Sequence, residues 1–251
     1  MDKALYIAMS GAKQNMLAQR GHANNLANVN TTGFKADLHQ ARSMPVFGEH
    51  YPTRAYAMTE RPASDMSPGS AIQTGRDLDV AVQGDGWIAV QAADGSEAYT
   101  REGELQVDVN GVLRTGSGLP VKGNGGPLVI PPADSMTIGV DGVISIVGVG
   151  QKPDEIAEID RIKLVNPDPK QMEKGEDGLM RMKKNPQGQV PNAPVDGAVR
   201  VASGYLESSN VNAVDEMTQI MALSRQFEMQ IKLMTTADQN TESAARLLQN
   251  S

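Results

Sequence analysis

The sequence predicts an α+β chain, with helices at its two ends and an all-β middle. Two patterns predict it. Residues from about 3 to 30 and from about 212 to 249 place apolar or small side chains three and four positions apart, the repeat of helices that pack along a seam. Residues from about 71 to 206 instead carry short Val- and Ile-rich runs punctuated by Asp-Gly and Asn-Gly pairs, the pattern of short antiparallel strands. The expected layout is an N-terminal helix in 1–34, an extended connector in 35–70, a β domain in 71–206 and a C-terminal helix in 207–251.

The first helix carries its stripe at Leu5, Met9, Ala12, Met16, Gln19, Ala23 and Leu26. Gly11 and Gly21 lie inside it and weaken it by about 1 kcal/mol each relative to Ala. It runs into "NNLANVNTTGFK", residues 24–35, unusually rich in side-chain amides. Asparagine and, more easily, Gly33 tolerate the left-handed backbone that ends a helix. That accounts for only part of the amide run. We expect Asn24, Asn25 and Asn28, grouped about Leu26, to fix register between helices, because a buried amide is satisfied only by correctly placed partners.

The connector contains Pro45, Pro52, Pro62 and Pro68, which exclude a long helix; a short strand is expected around Thr53–Thr59. The β domain follows with "LDVAVQ", "GWIAVQA", "ELQVDV", "MTIGV", "GVISI" and "RIKLV". Turns are expected at Asp85-Gly86, Asp94-Gly95, Asn110-Gly111 and Asp141-Gly142. No helix-period segment interrupts these runs, which argues against an alternating βαβ enzyme fold.

The last helix starts at the N-cap candidate Asn212, with Asp215 and Glu216 in its first turn, where negative charge suits the helix dipole. Its stripe is Ala213, Met217, Ile220, Ser224, Phe227, Ile231, Met234, Asp238, Thr241, Ala245 and Leu248. Spacing leaves open whether the two ends pair or pack separately on the middle, since Gln19, Asp238 and Thr241 interrupt an ideal seam.

Little in the 251 residues points to catalysis. There is no cysteine, hence no disulfide and no thiolate metal site. His22, His39 and His50 have no partner at metal-ligand spacing, and no glycine cluster has the strand-to-helix context of a phosphate loop. The net charge of −7 argues against a nucleic-acid groove. No apolar run is long enough to cross a bilayer, and no ordinary cleavable signal peptide is visible. A cysteine-free chain suits an oxidising compartment, which leaves the route of export as a question.

Three stretches answer it by resemblance. "NNLANVNTTGFK" (24–35), "TGRDLDVAVQGDGWIAVQAADGSEAYTREGELQVDVNGVLRT" (74–115) and "GYLESSNVNAVDEMTQIMALSRQFEMQIKLMTTADQ" (204–239) resemble, in order, the signatures of the bacterial flagellar axial family of rod and hook proteins. "MDKALYIAMSGAKQ", "SDMSPG" and "DGWIAVQAADG" are most similar to its proximal-rod members. Gly86-Trp87-Ile88 and Arg225-Gln226-Phe227 depart from the distal-rod pattern.

The resemblance implies a non-enzymatic structural subunit without cofactor or metal. Its terminal helices would pair as a coiled-coil-like inner domain, with the β domain outside. It would leave the cell through the flagellar type III export apparatus, uncleaved, and stack with itself, proximal-rod siblings and the distal-rod protein. The product is a helical tube that crosses the periplasm and transmits torque. The expected assembly residues are Asn24, Asn25, Leu26, Asn28, Gly33, Phe34, Met217, Ile220, Phe227, Ile231 and Met234. The alternatives are a distal-rod or hook subunit, or a periplasmic cell-wall enzyme or binding module with helical arms.

Overall fold

The computed structural model describes residues 3–45, 47, 55–60, 63–152, 155–186 and 188–249; His50, Thr53 and the side chain of Leu248 lie outside the described residues. The chain forms two compact units. One comprises the residues up to Val29, Asp37–Ser64 and those from Val211 onward; the other comprises Asn30–Ala36 and Asp65–Asn210.

In the first unit, helix α1 (Lys3–Ala27) packs against helix α2 (Ala213–Gln249). The terminal helices therefore pair, as the family resemblance implies. The Asn212 side chain accepts the Val214 N–H and caps α2, whose first turn holds Asp215 and Glu216. Residues 37–64, within the stretch expected as an extended connector, hold the expected short strand together with a partner strand. Strands β1 (Gln40–Pro45) and β2 (Ala55–Glu60) pair antiparallel from Gln40 opposite Glu60 to Pro45 opposite Ala55. Pro45 stands at the end of its strand, where a missing N–H is tolerated. β2 lies along α1: the Thr59 N–H donates to Gln14 Oε1 at 2.9 Å, and the Thr59 hydroxyl to the Gln14 carbonyl at 3.2 Å.

The second unit is built from short antiparallel strands. In chain order these are β3 (Ala71–Gln73), β4 (Val80–Gln83), β5 (Trp87–Gln91), β6 (Glu97–Thr100), β7 (Leu105–Val107), β8 (Leu113–Thr115), β9 (Ala133–Ile138) and β10 (Val143–Gly148). They continue as β11 (Ile156–Arg161), β12 (Leu164–Val165), β13 (Met172–Lys174), β14 (Met180–Met182), β15 (Arg200–Ser203) and β16 (Tyr205–Glu207). The largest sheet runs β12-β5-β6-β14-β13, and a second runs β11-β10-β9; β15 pairs β4, β16 pairs β3 and β7 pairs β8.

Alternation along β5 sets the core. Ile88 and Val90 face a cluster with Val80, Leu105, Leu113, Val121, Ile144, Ile162 and Val201. Trp87 and Ala89 face a second cluster with Tyr99, Val165, Met172 and Met180. Three of the expected turns close hairpins: Gly95 between β5 and β6, Gly111 between β7 and β8, and Gly142 between β9 and β10, each with φ near +80°. Gly86 serves another purpose. β4 and β5 do not pair, and a Cβ at Gly86 would lie 2.6 Å from the Val199 side chain, so this glycine permits close packing.

Candidate assembly interface

The seam between α1 and α2 runs on residues smaller and more polar than the apolar stripe suggests. On α1 the positions turned inward are Ala8, Gly11, Ala12, Asn15, Ala18, His22 and Asn25. On α2 they are Ala213, Glu216, Ile220, Leu223, Ser224, Phe227, Gln230, Met234 and Ala237. Ile220, Phe227 and Met234 thus lie in the seam, partly buried. Met217 and Ile231 do not: they are 52% and 42% exposed. Met9 and Met16, expected in the α1 stripe, are 52% and 58% exposed.

The reason is steric. A Cβ at Gly11 would fall on the Gln230 amide, and one at Gly21 on the His39 ring. These glycines let α2 and the segment before β1 approach α1 closely, and the large side chains are displaced outward. Their cost in helix propensity is offset by the packing they allow.

Polar side chains set the register of the pair. The His22 Nδ1 meets Glu216 Oε2. Asn25 is 1% exposed and uses its whole amide: Nδ2 donates to Glu216 Oε1 and to the Asp37 carbonyl, both at 2.9 Å, while Oδ1 accepts the Asp37 N–H at 3.0 Å. Glu216 thereby gathers both an α1 histidine and an α1 amide, and the His39 ring packs 5.2 Å from that of His22. The carboxylate neighbour of His22 is 194 positions away, beyond any local spacing rule. The remaining amides differ from Asn25. Asn28 Nδ2 donates to the Asn24 carbonyl at 2.9 Å across the last turn of α1, and the Asn24 side chain is exposed. Leu26 is partly buried.

Gly33 and Phe34 belong to the β unit and are held there by a buried ionic cluster. Gly33 has φ +68°, donates its N–H to the Glu207 carbonyl at 2.8 Å, and leaves no room for a Cβ against the Arg101 backbone. The Phe34 ring lies 3.9 Å beneath the Lys174 ammonium. Next to it, Lys35 donates to Glu207 Oε1 at 2.6 Å and to the Ser67 carbonyl at 2.8 Å. Arg101 donates to Glu207 Oε2 at 2.8 Å and to the Gly84 carbonyl at 2.7 Å, with its guanidinium over Trp87. Burial pushes the Glu207 carboxyl up, but hydrogen bonds from Lys35 and the Gly69 N–H, with the Arg101 charge, hold it below the usual glutamate range. Burial pulls Lys35 down, and Glu207 opposes this only in part.

Sequence reasoning missed Lys35, Arg101 and Glu207. A charged residue in a strand or loop reads as solvent-facing unless its partner is known, and these partners are 172 and 106 positions apart. Asn210 was missed too. Its Oδ1 accepts the Ala36 N–H at 2.8 Å, and its Nδ2 donates to the carbonyls of Asp65 at 3.0 Å and Ser67 at 3.2 Å.

The outward faces of the helices carry many large apolar side chains among charged and polar ones. Tyr6, Met9, Met16 and Leu17 on α1, and Val214, Met217, Met221, Met229, Ile231 and Leu233 on α2, are all exposed. A groove of about 540 Å³ on this unit is lined by Met9, Ala12, Lys13, Met16, Leu17, Arg20 and Phe227. Large apolar side chains exposed in this number suit contact with another macromolecule. Among the described residues no group of His, Asp or Glu is placed to hold a metal ion.

Comparison with known proteins agrees with this architecture. Three family models match in order: "Flagella basal body rod protein" over residues 5–35, "Flagellar hook protein FlgE/F/G D1 domain" over 81–146, and "Flagellar basal body rod FlgEFG protein C-terminal" over 202–247. The chain is 44% identical over 249 residues to the flagellar basal-body rod protein FlgF of Escherichia coli (strain K12), covering 99% of both chains. Identity to the protein of the same name from Salmonella typhimurium is 43%, again over 99% of both. With the flagellar basal-body rod protein FlgG of Bacillus subtilis (strain 168) it is 33% over 265 residues, covering 98% of this chain and 99% of that one.

Proposed function

The chain belongs to the flagellar basal-body rod protein family, and within that family we propose that it forms part of the proximal rod. It is a structural subunit of the flagellum, not an enzyme. In this reading it leaves the cell through the flagellar type III export apparatus without losing an N-terminal peptide. In the periplasm it packs against copies of itself, proximal-rod siblings and the distal-rod protein, in a tube that carries motor torque. The identity to the FlgF proteins of Escherichia coli and Salmonella typhimurium, 44% and 43% against 33% for the FlgG of Bacillus subtilis, supports the proximal over the distal position.

The observation that carries the reading is the outward apolar face of the helix pair. The contact between α1 and α2 is made by small and polar residues of α1 with Ile220, Phe227 and Met234 of α2, and leaves Met9, Met16, Met217 and Ile231 exposed for neighbours. Of the assembly residues expected from sequence, Met217 and Ile231 fit contact between subunits. Ile220, Phe227, Met234 and Asn25 shape the unit that presents them.

The test is complementation of a strain lacking this chain. Wild type should restore swimming and be present in purified basal bodies. Met217→Asp combined with Ile231→Asp should be exported but absent from basal bodies. Burying each apolar side chain contributes about 1.5–3 kcal/mol at a contact, and a buried carboxylate reverses the sign. Swimming by the double variant would refute the reading of this face.

A further inference from the structure

The chain keeps its sulfur entirely in methionine, 14 residues with no cysteine, and the fold distributes those methionines unevenly. In the β unit, Met172, Met180 and Met182 are buried in the cluster around Trp87 and Tyr99. On the helices, Met9, Met16, Met217, Met221 and Met229 are each more than half exposed. An unbranched thioether side chain adapts to irregular partners, which suits a face that must meet several different neighbours. The same side chain can be oxidised, and its accessibility decides how readily.

We propose that Met9, Met16, Met217, Met221 and Met229 are sites of reversible oxidation to methionine sulfoxide, and that oxidation of the free chain closes this face to assembly. The inference rests on the reading of the face as the assembly surface. The oxidant is a hydroperoxide. The thioether sulfur attacks the outer peroxide oxygen, the O–O bond breaks, and an S–O bond forms. With hydrogen peroxide the other oxygen leaves as water after proton transfer. Sulfur loses two electrons and the peroxide gains them. A thiol-dependent sulfoxide reductase reverses the step, releasing the oxygen as water while two thiols become a disulfide. The product is a polar side chain where an apolar one packed. Burying its oxygen without a donor opposes association. Once neighbours cover the face, the sulfurs lose access to the oxidant, so the vulnerable stage precedes incorporation.

Two experiments test this. The purified chain is treated with hydrogen peroxide, digested and followed by mass spectrometry. Peptides holding the five helix methionines should each gain one oxygen before those holding Met172, Met180 and Met182. Equal rates in the two groups would overturn the proposal. In the second, two five-fold variants are expressed in the strain lacking this chain, one with Leu and one with Gln at Met9, Met16, Met217, Met221 and Met229. Leu keeps the face apolar and resists oxidation; Gln has similar length and imitates the polar sulfoxide.

The Leu variant should swim, whereas the Gln variant should be exported, helical by circular dichroism, and missing from basal bodies. Incorporation of the Gln variant, or failure of the Leu variant, would overturn the proposal. Absence of the wild-type chain from purified basal bodies would instead sink the assembly reading, a separate outcome from the oxidation pattern.

Discussion

Replacing Glu207 with Ala tests the buried ionic cluster of the β unit most directly. The substitution deletes the carboxylate that Lys35 and Arg101 share, and with it the acceptor of the Gly69 N–H. Lys35 keeps the Ser67 carbonyl and Arg101 keeps that of Gly84, but both cations stay buried without their shared counter-ion. Removing one partner of such a group costs about 3–5 kcal/mol. For a unit of this size each kcal/mol lowers the melting temperature by about 2–4 °C, so the expected drop is roughly 6–20 °C. Trp87 is the only tryptophan, is buried, and lies 5.3 Å from the Arg101 guanidinium carbon, so its fluorescence reports this unit's melt. Replacing all three charges together (Lys35→Met, Arg101→Met and Glu207→Leu) should recover most of the loss, since the penalty comes from unpaired charge. A Glu207→Ala melt within about 2 °C of wild type would refute the assignment of Glu207 as the hub of the cluster.

Asn25→Ala should destabilise the helix pair by about 2–4 kcal/mol, because it leaves the Asp37 backbone groups and Glu216 short of partners, whereas Asn24→Ala should cost under about 0.5 kcal/mol; urea unfolding followed by circular dichroism at a helical wavelength compares them. Gly33→Ala places a Cβ against the Arg101 backbone at a positive φ, so the variant should melt well below wild type in the Trp87 assay, and an unchanged melt would contradict the described turn. Acid should destabilise the β unit. Glu97, held below its ordinary value despite burial by Lys122, Lys163 and Tyr99, and Glu207 both have depressed folded pKa values. Their contribution is present above the ordinary glutamate value near 4.5 and is lost as pH falls through the lower folded values, because the unfolded chain takes up protons first. A melting temperature flat from neutral pH down to about 3 would show that neither carboxylate is stabilised by folding.

The helices and the antiparallel character of the middle were legible in the sequence, because periodicity and turn residues are local signals; the pairing of the helices followed only from the family resemblance, since spacing left it open. The register of the seam was legible only in part. A stripe chosen by apolar size picks Met9, Met16, Met217 and Ile231, yet close pairing selects small residues such as Ala8, Gly11 and Ala18, and a polar set led by Asn25 and Glu216. On α2 the two stripes share Ala213, Ile220, Ser224, Phe227 and Met234, and are offset by one residue where Met217, Ile231 and Asp238 were expected and Glu216, Gln230 and Ala237 turn inward. The amide run held three different roles: register for Asn25, helix termination for Asn28, and an exposed side chain for Asn24. Nothing local separates them, since the partners of Asn25 include a residue at the far end of the chain. Of the β1–β2 hairpin the sequence showed only the strand near residues 53–59; β1 escaped because all its residues are exposed and prolines dominate its surroundings.

Asn210 has a consequence for how this architecture diversifies. The polypeptide leaves or re-enters the β unit at Ala36, Asp65 and Asn210, and one carboxamide ties these passages together. Everything between Asp65 and Asn210 is therefore a closed excursion whose two ends stay fastened, whatever its length. Insertions or deletions in its outer loops change the bulk and surface of that excursion without altering the spacing of its roots. A lineage can remodel this excursion for each new neighbour while inheriting the helix pair unchanged, provided the asparagine and the three backbone groups it binds persist. Grafting the excursion of a longer relative between residues 65 and 210 is the engineering counterpart of that history.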